Sequence, residues 1–289
     1  MALSTSHGSA LGLCTISAVL ALSLACSPGN SGPKALYTLD ASGAPGVYQI
    51  DAATGTTERV FDLPPAKWMG VTGSPANPGS MYAVAEIVGG LHKVRIDQLN
   101  TRTGEVKHVA EIAGEELGFG PKVGTGVSAV AMHPTKPHHG VLAVITLPEY
   151  DPIDPQFDEN DPLLGKTHLV EVDFKAARAT GKPFASELLL TSLTYDASGA
   201  LYATAGVGFT ASTASLYAID MQAGELNLVG EIEGASQVVT GMAFDADGTM
   251  LAIDGMNVDE LISLDVTNGS VKERAGKLGI VTPKGLVYI

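Results

Sequence analysis

Five segments of the chain share one design: an alternating apolar strand that ends in aspartate and runs into a polar turn, usually closed by glycine. They are Val47–Asp51 before Thr54-Gly55, Lys93–Asp97 before Thr103-Gly104, Leu169–Asp173 before Thr180-Gly181, Leu216–Asp220 before Gly224, and Leu261–Asp265 before Asn268-Gly269. The aspartates are spaced by 46, 76, 47 and 45 residues. A period in the mid-forties is the signature of a repeat architecture, in which each unit buries its apolar face only against its neighbours. The long interval falls short of two periods, so it reads as one unit carrying a loop insertion of about 30 residues.

Each unit resolves into four short strands. In the fourth, Leu193–Tyr195 turns at Asp196-Ala197-Ser198-Gly199 into Leu201–Thr204, followed by Ser215–Ile219 and Leu226–Ile232. The fifth repeats the order with Gly241–Phe244, Met250–Ile253, Glu260–Leu264 and Val271–Leu278. Strands of four to seven residues with Asp and Gly turns at this period describe propeller blades. The first unit starts at Ala35–Leu39, which matches a second strand, and lacks an innermost one. The last segment, Pro283–Ile289, matches an innermost strand with nothing after it. Donating that strand to the first blade closes the ring and removes an open sheet edge. The expected fold is therefore all-β: a five-bladed β-propeller of four-stranded blades over residues 35–289, the first blade closed by the C-terminal strand. The turns Phe244–Gly248 and Tyr195–Gly199, with the Ile-Asp and Thr-Gly strands, resemble those of bacterial propellers of the broad WD40-like, NHL-like and quinoprotein-like group. That resemblance implies blade architecture and leaves activity open.

The N-terminus reads as a targeting segment. Ala10–Ala25 carries no charge and is rich in Leu and Ala; at this length it suits a signal h-region better than a bilayer span. It ends in Ser23-Leu24-Ala25-Cys26, followed by a Ser, Pro and Gly tether. A small residue before cysteine at this place resembles the lipobox of bacterial lipoproteins. The resemblance implies a signal peptide over 1–25, lipidation of Cys26 and a tether over 26–34. Export to the cell envelope follows, with the outer membrane or cell surface favoured. The only other cysteine, Cys14, lies in the segment to be removed, so the propeller must be held by its core without a disulfide.

Thirty-one acidic residues against 17 basic ones give a formal net charge of −14, which argues against nucleic acid and against direct contact with an anionic bilayer. The membrane is expected to be met through the lipid alone, by a monomer. The repeated aspartates Asp51, Asp97, Asp173, Asp220 and Asp265, together with Asp196, Asp245 and Asp247, are read as turn residues whose carboxylates accept backbone N–H groups two residues on. The most unusual stretch is 149–162, with Glu149, Asp151, Asp154, Asp158, Glu159 and Asp161. Hard oxygen ligands in a loop suit Ca²⁺, so Asp151, Asp154, Asp158, Glu159 and Asp161 form a candidate calcium site, although the spacing is not that of an EF-hand and prolines stiffen it. A solvated acidic loop is the alternative, and no other cofactor is expected.

His133 stands where other blades place a turn aspartate, and the adjacent His138 and His139 alternate in direction, which makes them poor joint ligands. No nucleophile elbow, zinc-protease motif or P-loop occurs. Gly118–Gly124 is glycine-rich but precedes no helix pattern, so it offers no phosphate cradle. The inner strands carry Thr72, Ser128, Thr194 and Thr240 as their polar residues. A non-catalytic binding or scaffold module for a protein or glycan of the envelope is the leading expectation, and an enzyme is the less favoured class. The alternative is a metal-dependent, lactonase-like hydrolase or lyase. A quinoprotein-like cofactor site is disfavoured by the single tryptophan, Trp68.

Overall fold

The computed structural model describes residues 34–75, 77–87, 93–119, 123–148, 166–206, 213–255 and 259–289. They form five antiparallel sheets arranged as blades. The first blade takes β1 (Leu36–Asp40), β2 (Gly46–Ile50) and β3 (Thr57–Asp62). The second is β4 (Lys67–Gly73), β5 (Ser80–Glu86), β6 (Lys93–Asn100) and β7 (Val106–Ala113). The third is β8 (Val123–Met132), β9 (His139–Pro148) and β10 (Thr167–Asp173), with an outer edge split into β11 (Arg178–Ala179) and β12 (Phe184–Ser186). The fourth is β13 (Leu189–Tyr195), β14 (Leu201–Gly206), β15 (Ala214–Asp220) and β16 (Glu225–Glu231). The fifth is β17 (Val239–Phe244), β18 (Met250–Asp254), β19 (Glu260–Leu264) and β20 (Val271–Lys277). The last strand, β21 (Pro283–Tyr288), pairs antiparallel with β1 and becomes the innermost strand of the first blade.

The innermost strands β21, β4, β8, β13 and β17 meet one another in sequence around a closed ring. The core is correspondingly divided into layers between blades. Leu39, Val47, Trp68, Val71 and Met81 fill the space between the first and second blades. Leu36, Ile50, Leu251, Ile253, Leu261 and Leu286 fill the space between the fifth and the first. Each such side chain stabilises the ring by about 2 kcal/mol on burial. The outer strands β3, β7, β16 and β20 are largely exposed and carry charged residues toward solvent.

The turn after each third strand is one five-residue device. Asp51, Asp173, Asp220 and Asp265 each accept backbone N–H bonds from residues two or three positions on, at 2.8 to 3.2 Å. Four residues after the aspartate, Gly55, Gly224 and Gly269 adopt positive φ and donate their N–H to its carbonyl. Two expectations are corrected here. In the second blade Asn100, not Asp97, holds the turn, accepting from Arg102 N and Thr103 N, with Gly104 at the left-handed position. Asp97 lies three residues earlier, fully buried in the strand, where Arg95 and His108 pair with its carboxylate. In the third blade the left-handed residue is Ala177 (φ 53°) rather than Gly181. The hairpin turns agree with the sequence reading: Asp196 and Asp245 accept from backbone N–H groups, and His133 Nδ1 takes their place by accepting from Thr135 N at 3.3 Å.

Candidate functional site at the mouth of the axis

Every innermost strand carries one extra residue relative to its partner. The bulge falls at Met69 in β4, Ser128 in β8, Thr191 in β13 and Thr240 in β17. In β21 Gly285 and Leu286 together oppose Thr38. Bulges increase local twist and bend a strand, and one recurs at the equivalent place in the innermost strand of all five blades. The bulged residues, with Gly70, Ser192 and Leu286, line the axial cavity, which leaves about 10 Å³ for water, roughly a single molecule. At the closest approach the backbones touch: a Cβ on Gly241 would lie 2.5 Å from the Gly285 carbonyl carbon.

Of the four inner-strand polar residues read from the sequence, Ser128 and Thr240 reach the axis. Thr72 instead accepts from Met132 N at 2.9 Å between blades, and Thr194 is buried away from the axis. Thr191 and Ser192 line the axis but escaped the sequence reading, because the bulge extends β13 four residues upstream of Leu193.

Ionisable residues collect where the inner strands begin and the second strands end. Asp40, Glu86 and Asp254 close β1, β5 and β18 at this end, Lys67 opens β4, and Lys284 is the second residue of β21. Glu86 is ion-paired with Lys67 and accepts from Val127 N at 3.2 Å, joining two blades. Asp40 accepts from Ser42 N and Thr282 N at 2.9 and 3.3 Å. Asp254, 1% exposed, accepts from Ser236 N at 2.8 Å and faces Arg274 at 3.7 Å. Asp259 has φ 45° and a buried Oδ1 that has no hydrogen-bond partner among the described residues. Burial pushes its carboxyl pKa up, and the charges of Asp254 and Asp40 push it further. The opposite shift occurs at Lys284, whose pKa is lowered by burial and then by repulsion from Lys67.

At the other end of the ring lie His133, His138 and His139. His133 is held below its usual pKa first by burial, then by Lys136 and His139, and its ring packs 5.1 Å from that of Tyr195. Burial pushes the Tyr195 hydroxyl up to about 12. His138 (φ 64°) precedes β9 and bonds Tyr82 through Nδ1 at 3.2 Å, while His139 is inside the strand opposite Asp173. Among the described residues no three His, Cys, Asp or Glu side chains are grouped so as to hold a metal ion. The candidate calcium ligands Asp151, Asp154, Asp158, Glu159 and Asp161 lie outside the described residues, as does Cys26. No helix among the described residues is long and apolar enough to cross a membrane.

Fold and axis together define a five-bladed β-propeller with a closed ring and an axis that its own side chains fill at the height of the bulges. By sequence, the chain matches no protein-family profile and no curated protein. Its fold is similar to that of a provisionally assigned 6-phosphogluconolactonase from Bacteroides fragilis, at 12% identity over 91% of this chain and 99% of that one, with a TM-score of 0.48. It is also similar to the periplasmic gluconolactonase PpgL of Pseudomonas aeruginosa, at 12% identity over 89% and 99% of the two chains and a TM-score of 0.47. The Dos1 propeller is similar at 10% identity over 85% and 57%, with a TM-score of 0.40.

Proposed function

We propose that this protein is a non-catalytic binding module of the bacterial cell envelope, anchored by lipid at Cys26, whose propeller engages a protein or glycan partner through its loop faces. The observation that supports the reading is the filled axis. Met69, Ser128, Thr191, Thr240 and Leu286 converge on it and leave space for about one water, so a ligand is met at the surface and not in a small-molecule pocket. The carboxylates at the mouth are largely committed already, Asp40 and Asp254 to backbone N–H groups and Glu86 to Lys67 and Val127 N.

The test is capture from envelope extracts with the mature protein as bait, beside a variant with Lys67 and Arg274 both changed to Glu. A partner enriched by the first and lost from the second supports the reading. Equal recovery by both, or no partner at all, contradicts it. The anchor is tested separately by mass spectrometry of the mature N-terminus: a diacylglyceryl group on Cys26 is expected, and an unmodified N-terminus elsewhere rules it out. Calorimetric titration with Ca²⁺ tests the acidic loop in the same preparation.

A second reading is a metal-dependent hydrolase or lyase of lactonase type. Asp259 favours it, as a carboxyl held toward its protonated form beside Asp254 and Asp40. That reading requires turnover of a sugar lactone in the presence of a divalent cation and its loss in Asp259→Asn.

A further inference from the structure

The residue just before the bulge occupies an equivalent place in all five innermost strands. In four blades it is Trp68, Val127, Leu190 or Val239, each no more than 1% exposed. In the first blade it is Lys284, opposite Leu39. One lysine therefore stands in a ring position that the rest of the propeller fills with buried apolar side chains. Its butyl stem can cover the apolar surface that they cover while its amine stays toward solvent, and the residue is partly buried.

That amine has no carboxylate to neutralise it among the described residues. Glu86 is engaged by Lys67 and by Val127 N, and Asp40 by the Ser42 and Thr282 N–H groups. Burial comes first in lowering the Lys284 pKa, and the charge of Lys67, itself paired with Glu86, adds to it. A half-buried ammonium beside a second cation and without a counter-ion is the arrangement that favours the neutral, nucleophilic amine.

We propose that Lys284 is a covalent modification site for small aldehydes. The Nζ lone pair attacks the carbonyl carbon and a C–N bond forms. The carbonyl oxygen then departs as water carrying both amine protons, which leaves an imine. No oxidant or reductant enters this step, and the assignment stands whether or not the propeller binds a partner through its loop faces.

The experiment treats the intact protein with glyceraldehyde and sodium cyanoborohydride at pH 7, where hydride delivery to the imine carbon fixes the adduct as a secondary amine. Peptide mass spectrometry then follows initial rates at Lys284 and at the exposed Lys107 and Lys175. Lys284 is expected to react at least about threefold faster than either. Its rate should level off at a lower pH than theirs, which accessibility alone would not produce. Lys67→Gln should bring the rate at Lys284 down toward the exposed lysines. A rate at Lys284 no higher than at Lys107 and Lys175, an identical pH profile, or indifference to Lys67→Gln overturns the proposal.

Discussion

The hydroxyl of Thr38 donates a 2.6 Å hydrogen bond to the carbonyl of Gly285, a residue 247 positions away in sequence. Thr38 is fully buried on β1 and Gly285 is the bulged residue of β21, so this bond sits on the seam that closes the ring. Gly285 has φ 71°, and a Cβ there would lie 2.5 Å from the Val71 backbone nitrogen of the next blade. The seam thus depends on a residue without a side chain, held in place by a hydroxyl from its partner strand.

Thr38→Val keeps the shape and removes the donor, leaving a carbonyl unpaired at the seam. A cost of about 1–2 kcal/mol is expected, seen as a lower melting temperature by circular dichroism. An unchanged melting temperature would show that the bond contributes nothing to closure.

Ala177 is the one alanine in a turn position that glycine holds in the other four blades, at φ 53°. A side chain in this region costs about 1–2 kcal/mol, partly offset by the entropy glycine loses and by the contact of Ala177 with the layer between the second and third blades. Ala177→Gly is expected to stabilise the protein by about 0.5 kcal/mol, and the mirror change Gly224→Ala to destabilise it. Chemical denaturation of both variants checks the pair of signs.

The raised pKa of Asp259 makes the folded state bind its proton more tightly than the unfolded chain does. The associated stability is fully present below the ordinary carboxylate range and is lost as pH rises through the raised value. Asp259→Asn removes this loss, and asparagine tolerates the left-handed backbone at least as well. The variant's gain in melting temperature should therefore be larger at pH 7 than at pH 4. An equal gain at both would mean that the carboxyl titrates as it does in the unfolded chain.

The blade pattern was legible because it rests on local signals: alternation within strands, and aspartates that start turns. Where those signals are ambiguous the register slipped. Ile96-Asp97 looks like the Ile50-Asp51 and Ile219-Asp220 pairs, but β6 continues to Asn100, and Asp97 is tolerated inside because Arg95 compensates its charge and His108 Nδ1 lies 3.1 Å from its Oδ1. Gly181 drew the third turn away from Ala177 because glycine is the usual residue there. The mouth of the axis was not legible at all. The charge of Lys67 acts on Lys284, and that of Asp40 on Asp259, only because β21 returns to β1 across more than 200 residues, and no short-range pattern encodes that proximity. The bulges were missed for a related reason: an extra residue interrupts the alternation by which a strand is recognised.

Closure of the ring by β21 is the premise of the filled axis, the charged mouth and the place of Lys284. The direct measurement is the thermal unfolding of a chain ending at Thr282. Loss of β21 removes its buried Leu286 and Val287, exposes core residues that shared their layers, such as Leu39, Val71, Leu36 and Leu251, and leaves β1 without its inner neighbour. The melting temperature should fall by roughly 10 °C or more, from about 4 kcal/mol of lost burial alone, and the transition should broaden. A truncated protein that melts as sharply and at the same temperature as the full chain would contradict a propeller closed by its C-terminal strand.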